Sequence, residues 1–229
     1  MNIVFFTGAG LSAESGLQTF RDTDGYWNKY NVDDVATIEG FNRNPELVIN
    51  FFNEYRTLIK NSQTNYAHQQ IANYINNTKN SCSIITQNVD NLLERAGIKD
   101  DNIYHLHGQI TIAKTLNKGL TLHIGYDDIK LTDRGEDGSG LRPNVVFFGE
   151  MPHYLEEAAE LISECDILVV IGTSLQVYPA AGLIDLLQPR SRGIVLDPNC
   201  DELELGSKWD KIAKKATEGI DDVIDLLNI

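Results

Sequence analysis

The sequence predicts an α/β fold, a Rossmann-like, doubly wound parallel sheet with a small inserted module. Three observations carry the prediction. Short runs rich in Val and Ile recur at "NIVFF" (2–6), "CSIIT" (82–86), "NVVFF" (144–148), "DILVVIG" (166–172) and "GIVLD" (193–197). Continuous apolar runs of this length are what parallel strands buried on both faces require. Helical patterns separate most of the runs, the alternation that builds a doubly wound sheet with its ligand at the carboxyl ends of the strands. One region, 109–140, is polar and dotted with glycine, and it departs from the alternation as a small inserted module would.

In chain order, "IVFFTGAGLSAESG" reads as a strand, a turn at Gly8-Ala9-Gly10 and a helix containing Ala13. This is G-x-G-x-x-A in the setting of a dinucleotide fingerprint, where small residues admit a pyrophosphate and a helix N-terminus offers it free N–H groups. A tight turn with no ligand explains the glycines as well, and the ribose-binding acid expected about 20 residues on is missing. "GLQTFRDTDGYW" then places Arg21 in a loop, where a guanidinium can meet a phosphate. "PELVINFFNEYRTLI" sets Val48, Phe51, Phe52, Tyr55 and Ile59 on one helical face. The run at 82–86 ends in "TQNVDNLLERAG", so Gln87, Asn88 and Asp90 fall at a strand end, and amide plus carboxylate groups there can grip a carboxamide. "HLHG" continues in an extended stretch with His107. A lone histidine is by default a surface or satisfied core residue. His105 and His107 share a strand face, so a metal pair is conceivable, although no further ligand stands at standard spacing. "LEEAAELIS" is a helix leading into the strand at 166, whose end in "IGTSLQVYPA" supplies Gly172, Thr173 and Ser174 for phosphate or ribose contacts. "DDVIDLLNI" closes the chain as a helix.

Composition bounds the function classes. A chain of 229 residues, 42% hydrophobic, can bury a full core, and its length fits one large domain or one domain plus a small appended module. No run approaches the roughly 18 apolar residues of a membrane span, and the N-terminus lacks a basic region and a small-residue cleavage site. The expected location is cytoplasmic, with no membrane partner. Cys82, Cys165 and Cys200 form no C-x-x-C pair, so neither a disulfide framework nor a four-cysteine zinc site can be written. The formal charge of −14 argues against direct nucleic-acid binding and mildly favours cationic partners such as lysine-bearing proteins, although solubility alone explains most of it.

Taken together and in order, "GAGLSAESG", "TFR", "NYAH", "TQNVDNL", "HLHG", "RPNVVFFGE" and "GTSLQVYPA" resemble the sirtuins, the Sir2-type NAD-dependent protein deacylases. "ESGLQTFRDTDGYW" and "VYPAAG" are similar to the bacterial class III branch. The resemblance runs from Ile3 to about Ala216 and implies a single catalytic domain over 1–229, with 109–140 as its small module. It implies NAD as cofactor and acylated-lysine proteins or peptides as partners. Gly8, Ala9, Gly10, Ser12 and Glu14 would lie in the cofactor loop, with Phe20 and Arg21 near the reacting ribose. Gln87, Asn88 and Asp90 would bind nicotinamide and its ribose, Gly172, Thr173 and Ser174 the phosphate and ribose, and Ala216 the adenine end. Phe148, Gly149, Glu150 and Val177 would flank a peptide added as a strand. His107, with Asn88, would be catalytic: the acyl oxygen attacks the ribose as nicotinamide leaves, and His107 takes a proton from a ribose hydroxyl. The products would be free lysine, nicotinamide and O-acyl-ADP-ribose.

The chain departs from the family at three places. Asp197 in "IVLDPN" stands where an asparagine usually receives the adenine ribose; a carboxylate can accept from both hydroxyls, or Asn199 or backbone groups take over. Phe52 and Tyr55 stand where the class III branch often carries a Tyr-x-x-Arg grip on acidic acyl groups. Acetyl or longer aliphatic groups are therefore expected, with Arg56 one turn from Phe52 as the alternative carboxylate partner, and with Phe52 and Tyr55 as plain apolar-face residues the simplest reading. Between His107 and Arg142 there is no cysteine, whereas most sirtuins staple this module with zinc. A metal-free, zinc-independent module is expected, its acids a solvated loop rather than a calcium site, with "LTLHIGY" as a strand pairing in the module or with the main sheet. An ADP-ribosyltransferase on the same scaffold is the alternative function, and a non-catalytic binding module the third.

Overall fold

The computed structural model describes residues 1–17, 19 and 30–228; the expected cofactor residues Phe20 and Arg21 lie outside them. β1 (Asn2–Thr7) passes through Gly8 into the short α1 (Ala9–Ala13). Then come α2 (Val32–Val35), α3 (Ile38–Arg43), α4 (Pro45–Asn61) and α5 (Tyr66–Asn77). The starts of α4 and α5 are written in their caps. The Asn44 side chain accepts from Leu47 N with Pro45 just inside the helix, and the Asn65 side chain accepts from His68 N while the His68 ring answers the Asn65 N–H. β2 (Ser81–Thr86), α6 (Leu92–Arg95) and β3 (Ile103–His105) follow, then the small-module strands β4 (Gly108–Thr115), β5 (Thr121–His123) and β6 (Leu141–Val145). α7 (Leu155–Glu164), β7 (Ile167–Ile171), β8 (Arg192–Leu196), β9 (Trp209–Ile212) and α8 (Ala216–Leu227) complete the chain.

The main sheet has the order β3-β2-β1-β7-β8-β9, and every pairing in it is parallel. Alternate side chains of one strand therefore serve opposite layers. Phe5, Ile84 and Val169 pack with Ile71 of α5 and Ile220 of α8, while Val4, Phe6, Ile85 and Val170 pack with Ala158 and Ile162 of α7. Chain order reverses direction across the sheet between β1 and β7, the crevice where this fold class binds ligands.

The run "NVVFF" does not join the main sheet. Its first two residues end β6, which pairs antiparallel with β4, and Phe147 and Phe148 belong to the loop beyond. An apolar run states that a segment is buried but not which partner buries it; here the layer is α4, whose Phe51, Phe52 and Ile59 share a core with Ile110, Ala113, Leu141, Val145 and Phe147. "LTLHIGY" supplies β5, antiparallel to β4, and the small sheet extends past residue 140 to take in β6. Among the described residues no helix is long and apolar enough to cross a membrane, and no group of three or more His, Cys, Asp or Glu is placed to hold a metal ion.

Candidate active site

Two turns meet at the carboxyl ends of β1 and β7. Gly10 N donates to Gly172 O at 2.8 Å and Gly8 N to Ile171 O at 3.0 Å. A Cβ on Gly10 would lie 2.6 Å from Gly172 Cα, and one on Gly8 would lie 2.8 Å from Gly172 O. Gly172 itself has φ +62, so the close approach is open to glycine and little else. Ala9 sits in the same turn, and Thr173 follows Gly172, its hydroxyl accepting from Gln87 Nε2 at 3.2 Å and from Leu175 N at 3.2 Å. Ser174 is half-buried beside it. Side-chain-free backbone flanked by hydroxyl and amide groups is the donor set that a dinucleotide's phosphates and ribose need, and these residues fit NAD.

Below this rim lies a buried polar network. Ser12 Oγ donates to Asp90 Oδ2 at 2.9 Å, and Asn88 Nδ2 donates to Gly8 O at 3.1 Å and to Ser12 Oγ at 3.2 Å. Asp90 Oδ1 accepts from Leu92 N at 3.0 Å. Burial raises the Asp90 pKa despite those two donors, which favour the carboxylate. His68 closes the network with Nε2 3.4 Å from Ser12 Oγ. Because its Nδ1 accepts from Asn65 N, its one proton sits on Nε2 and the ring is neutral; burial drives its pKa down to about 4 against the pull of Glu94.

His105 and His107 are close in sequence and opposite in state. His105 presents Nδ1 to Asn88 O at 3.1 Å and Nε2 to Glu94 Oε1 at 2.8 Å. Both partners accept, so both ring nitrogens are donors and no lone pair is left for a metal. Burial alone would lower its pKa, but the Glu94 carboxylate, Asn88 O and Asp90 together raise it. His107 lies beyond β3, with Nδ1 3.0 Å from Gln87 O. That carbonyl holds the proton on Nδ1 and leaves the Nε2 lone pair as a base. Burial lowers the His107 pKa, a neighbouring His153 adds to the effect, and Gln87 O opposes it.

The remaining expected residues divide by position. Glu14 points to the start of α8, its carboxylate accepting from Thr217 N at 2.9 Å and Thr217 Oγ1 at 2.8 Å, with Ala216 buried alongside. Asp197 follows β8, and its Oδ1 accepts from Asn199 N at 2.9 Å. Phe148, Gly149 and Val177 are exposed. Glu150 is half-buried, and its Oε2 accepts from Arg142 Nη2 at 2.5 Å and from Phe147 N at 2.8 Å. Phe52 and Tyr55 are buried in the α4 core, Phe52 stacked on Phe147 at 5.9 Å. Arg56 is buried too, donating from Nε to Ile110 O at 2.9 Å and from Nη1 to Asn53 Oδ1 at 2.7 Å.

His68, Glu94 and Arg142 carry site geometry without having been singled out as site residues. His68 had a signal in the spacing of "NYAH", where Asn65 and a residue three further on cap each other; Glu94 and Arg142 had none, since their partners are set by folding.

A parallel sheet crossed at β1/β7, a glycine turn pair and a neutral histidine at the strand ends define an α/β enzyme that works on a dinucleotide. The chain belongs to the Sir2 family, whose profile matches residues 8–179. It is 40% identical to an NAD-dependent protein deacylase of Bacteroides thetaiotaomicron over 99% of this chain and 97% of that one. It is 37% identical to one of Helicobacter pylori, again over 99% and 97%. Among solved structures, a Sir2 homologue in an ADP-ribose complex superposes with a TM-score of 0.87 at 34% identity, covering 99% of this chain and 91% of that one. A Sir2 homologue–NAD complex gives 0.85 at 33%, covering 99% and 89%. A Sir2 protein with a deacetylated peptide and 3′-O-acetyl ADP ribose gives 0.80 at 29%, covering 99% and 94%.

Proposed function

We infer that the site removes acetyl and other aliphatic acyl groups from peptide lysines, with His107 as the general base. The protein is an NAD-dependent protein deacylase, and acylated lysine is its substrate class. The observation that carries the role of His107 is its tautomer: Gln87 O fixes the proton on Nδ1, so a neutral ring offers Nε2 at the strand ends. NAD, when bound, supplies the ribose that takes the acyl group as nicotinamide leaves. Gly8, Ala9, Gly10, Thr173 and Ser174 would hold its phosphates and ribose, Gln87, Asn88 and Asp90 its nicotinamide end, and Asp197 and Ala216 its adenine end. His107 Nε2 accepts a proton during acyl transfer, and Gln87 O steadies the imidazolium that forms.

The aliphatic preference is supported by the acyl-side helix. Phe52 offers no hydroxyl, and two of the Arg56 nitrogens are bound to Ile110 O and Asn53, leaving Nη2 with no bond among the described residues. Incubation with NAD and acetylated, propionylated and succinylated peptides, followed by mass spectrometry, should yield free lysine and O-acyl-ADP-ribose from the first two. Rapid turnover of the succinyl peptide would reverse the preference and assign Arg56 Nη2 to its carboxylate. Label moving from NAD to protein with no free lysine formed would replace deacylation by ADP-ribosyl transfer.

A further inference from the structure

Arg142 is on β6 and only 6% exposed. Its Nη2 donates to Glu150 Oε2 at 2.5 Å and to Val145 O at 3.2 Å, and its Cζ lies 4.1 Å over the Phe147 ring, a cation–π contact. The same Glu150 oxygen accepts from Phe147 N at 2.8 Å, while Glu150 N donates to Phe147 O at 2.9 Å. One carboxylate thus closes the 147–150 turn, in which Gly149 takes φ +92, and ties it to the small sheet. Burial would raise the Glu150 pKa, but Phe147 N–H and Arg142 hold it below the usual carboxylate range, so the pair is ionised and charge-assisted.

The turn is bonded outward on both sides. Phe148 N donates to Ala36 O at 2.8 Å, Val146 N to His107 O at 2.9 Å and His153 N to Leu106 O at 2.9 Å. The peptide edge at Phe148 and Gly149 and the backbone that carries His107 therefore hang on one frame, with the Arg142–Glu150 pair at its centre.

We propose that Arg142 is a positioning residue for the acyl-peptide: acting through Glu150, it sets the Phe148–Gly149 edge relative to His107. Arg142 itself touches no substrate, and the proposal rests on the deacylase reading with its peptide laid along this loop. A lysine could keep the charge but not the paired contacts to Glu150 and Val145 O together with the flat face over Phe147. Lys114, whose Nζ is 3.9 Å from Glu150 Oε1, is beyond hydrogen-bond reach and adds a longer, half-buried ion pair in place of a directed contact.

The test compares Arg142→Gln, Arg142→Lys, Glu150→Gln and Lys114→Met with the wild type, using NAD and an acetyl peptide. Arg142→Gln should raise the peptide KM between about 10- and 100-fold, the loss expected when a small displacement misplaces a reacting group, with the KM for NAD unchanged. Arg142→Lys should recover part of the loss, and Lys114→Met should match the wild type. A folded Arg142→Gln with an unchanged peptide KM, or with both KM values raised in proportion to lost melting temperature, would overturn the proposal. Should Arg142→Gln not fold, Glu150→Gln keeps an acceptor for Phe147 N–H without the charge, and a wild-type peptide KM there would equally overturn it. Absence of any turnover by the wild type would instead sink the deacylase reading. Amide exchange at 146–148 then decides the frame alone: faster exchange in Arg142→Gln supports it, and equal exchange overturns it.

Discussion

Three histidines within this one site show how a single side-chain type takes three roles from its partners. His68 accepts from a backbone N–H and must stay neutral, His105 faces two acceptors and carries charge, and His107 faces one acceptor and keeps a lone pair. His107→Ala should abolish turnover with little change in melting temperature; retained activity would remove it as base. In the wild type, activity should fall as acid protonates His107, with the midpoint of the acid limb below the ordinary histidine value because burial lowers its pKa. His68 and His105 should tilt stability in opposite directions. The unfolded chain protonates His68 near 6.5 but the folded one only near 4, so stability present above 6.5 is lost as pH falls toward 4, on the order of 3 kcal/mol in all. The His105 pKa is raised, so its contribution is full below 6.5 and is lost as pH rises through the folded value. Melting curves of His105→Gln against pH should lack the alkaline loss alone; an unchanged alkaline limb would exclude His105 as its source. The states of His105 and His107 were not legible in "HLHG", because each is set by a carbonyl or carboxylate brought from elsewhere in the chain, whereas that of His68 rests on Asn65 within "NYAH".

At the scale of elements, the small module is docked by hydrogen bonds. Asn53 of α4 pairs with both backbone groups of Ile129, Nδ2 donating to Ile129 O at 2.9 Å and Oδ1 accepting from Ile129 N at 3.1 Å. Tyr126 donates to Asn91 Oδ1 at 2.9 Å, and Ile110 N to Val89 O at 2.9 Å, so the module is joined to the loop that carries Asn88 and Asp90. At its far end the Asp137 carboxylate accepts from Ser139 Oγ, Ser139 N and Lys118 N, the Ser139 hydroxyl foremost in holding its pKa down at about 2. We propose that these bonds do the work of a metal staple. Asn53→Ala should then destabilise the fold by about 2–3 kcal/mol, since it leaves both Ile129 groups and an Arg56 donor unpaired, as read by urea denaturation; a loss under half a unit on that scale would place the docking elsewhere. Chelator treatment should leave the melting temperature unchanged, and one tightly bound zinc per purified chain would refute a metal-free module. Strands with parallel neighbours and the α4 stripe were legible from their periodicity. "NVVFF" was not, because a buried apolar run carries no record of which sheet it joins.

For the whole molecule, the net charge of −14 bears on encounter rather than fold. Acetyl peptides flanked by Lys or Arg should show a KM that rises with salt, while acidic peptides should show none of that rise or the reverse; identical salt dependence for both would remove charge as a selector. The sequence by itself determined the strand–helix alternation, the glycine turn, the strand-end polar groups and the absence of zinc-type cysteines, because periodicity, turn chemistry and residue type are local properties. Only the tertiary structure decided that Gly10 closes on Gly172, that Glu150 pairs with Arg142, that Phe52 and Tyr55 face the core, and which nitrogens of His105 and His107 hold a proton. Those are contacts between residues from about eight to more than 160 positions apart, and their partners exist only once burial has fixed the backbone and made every unpaired polar group costly.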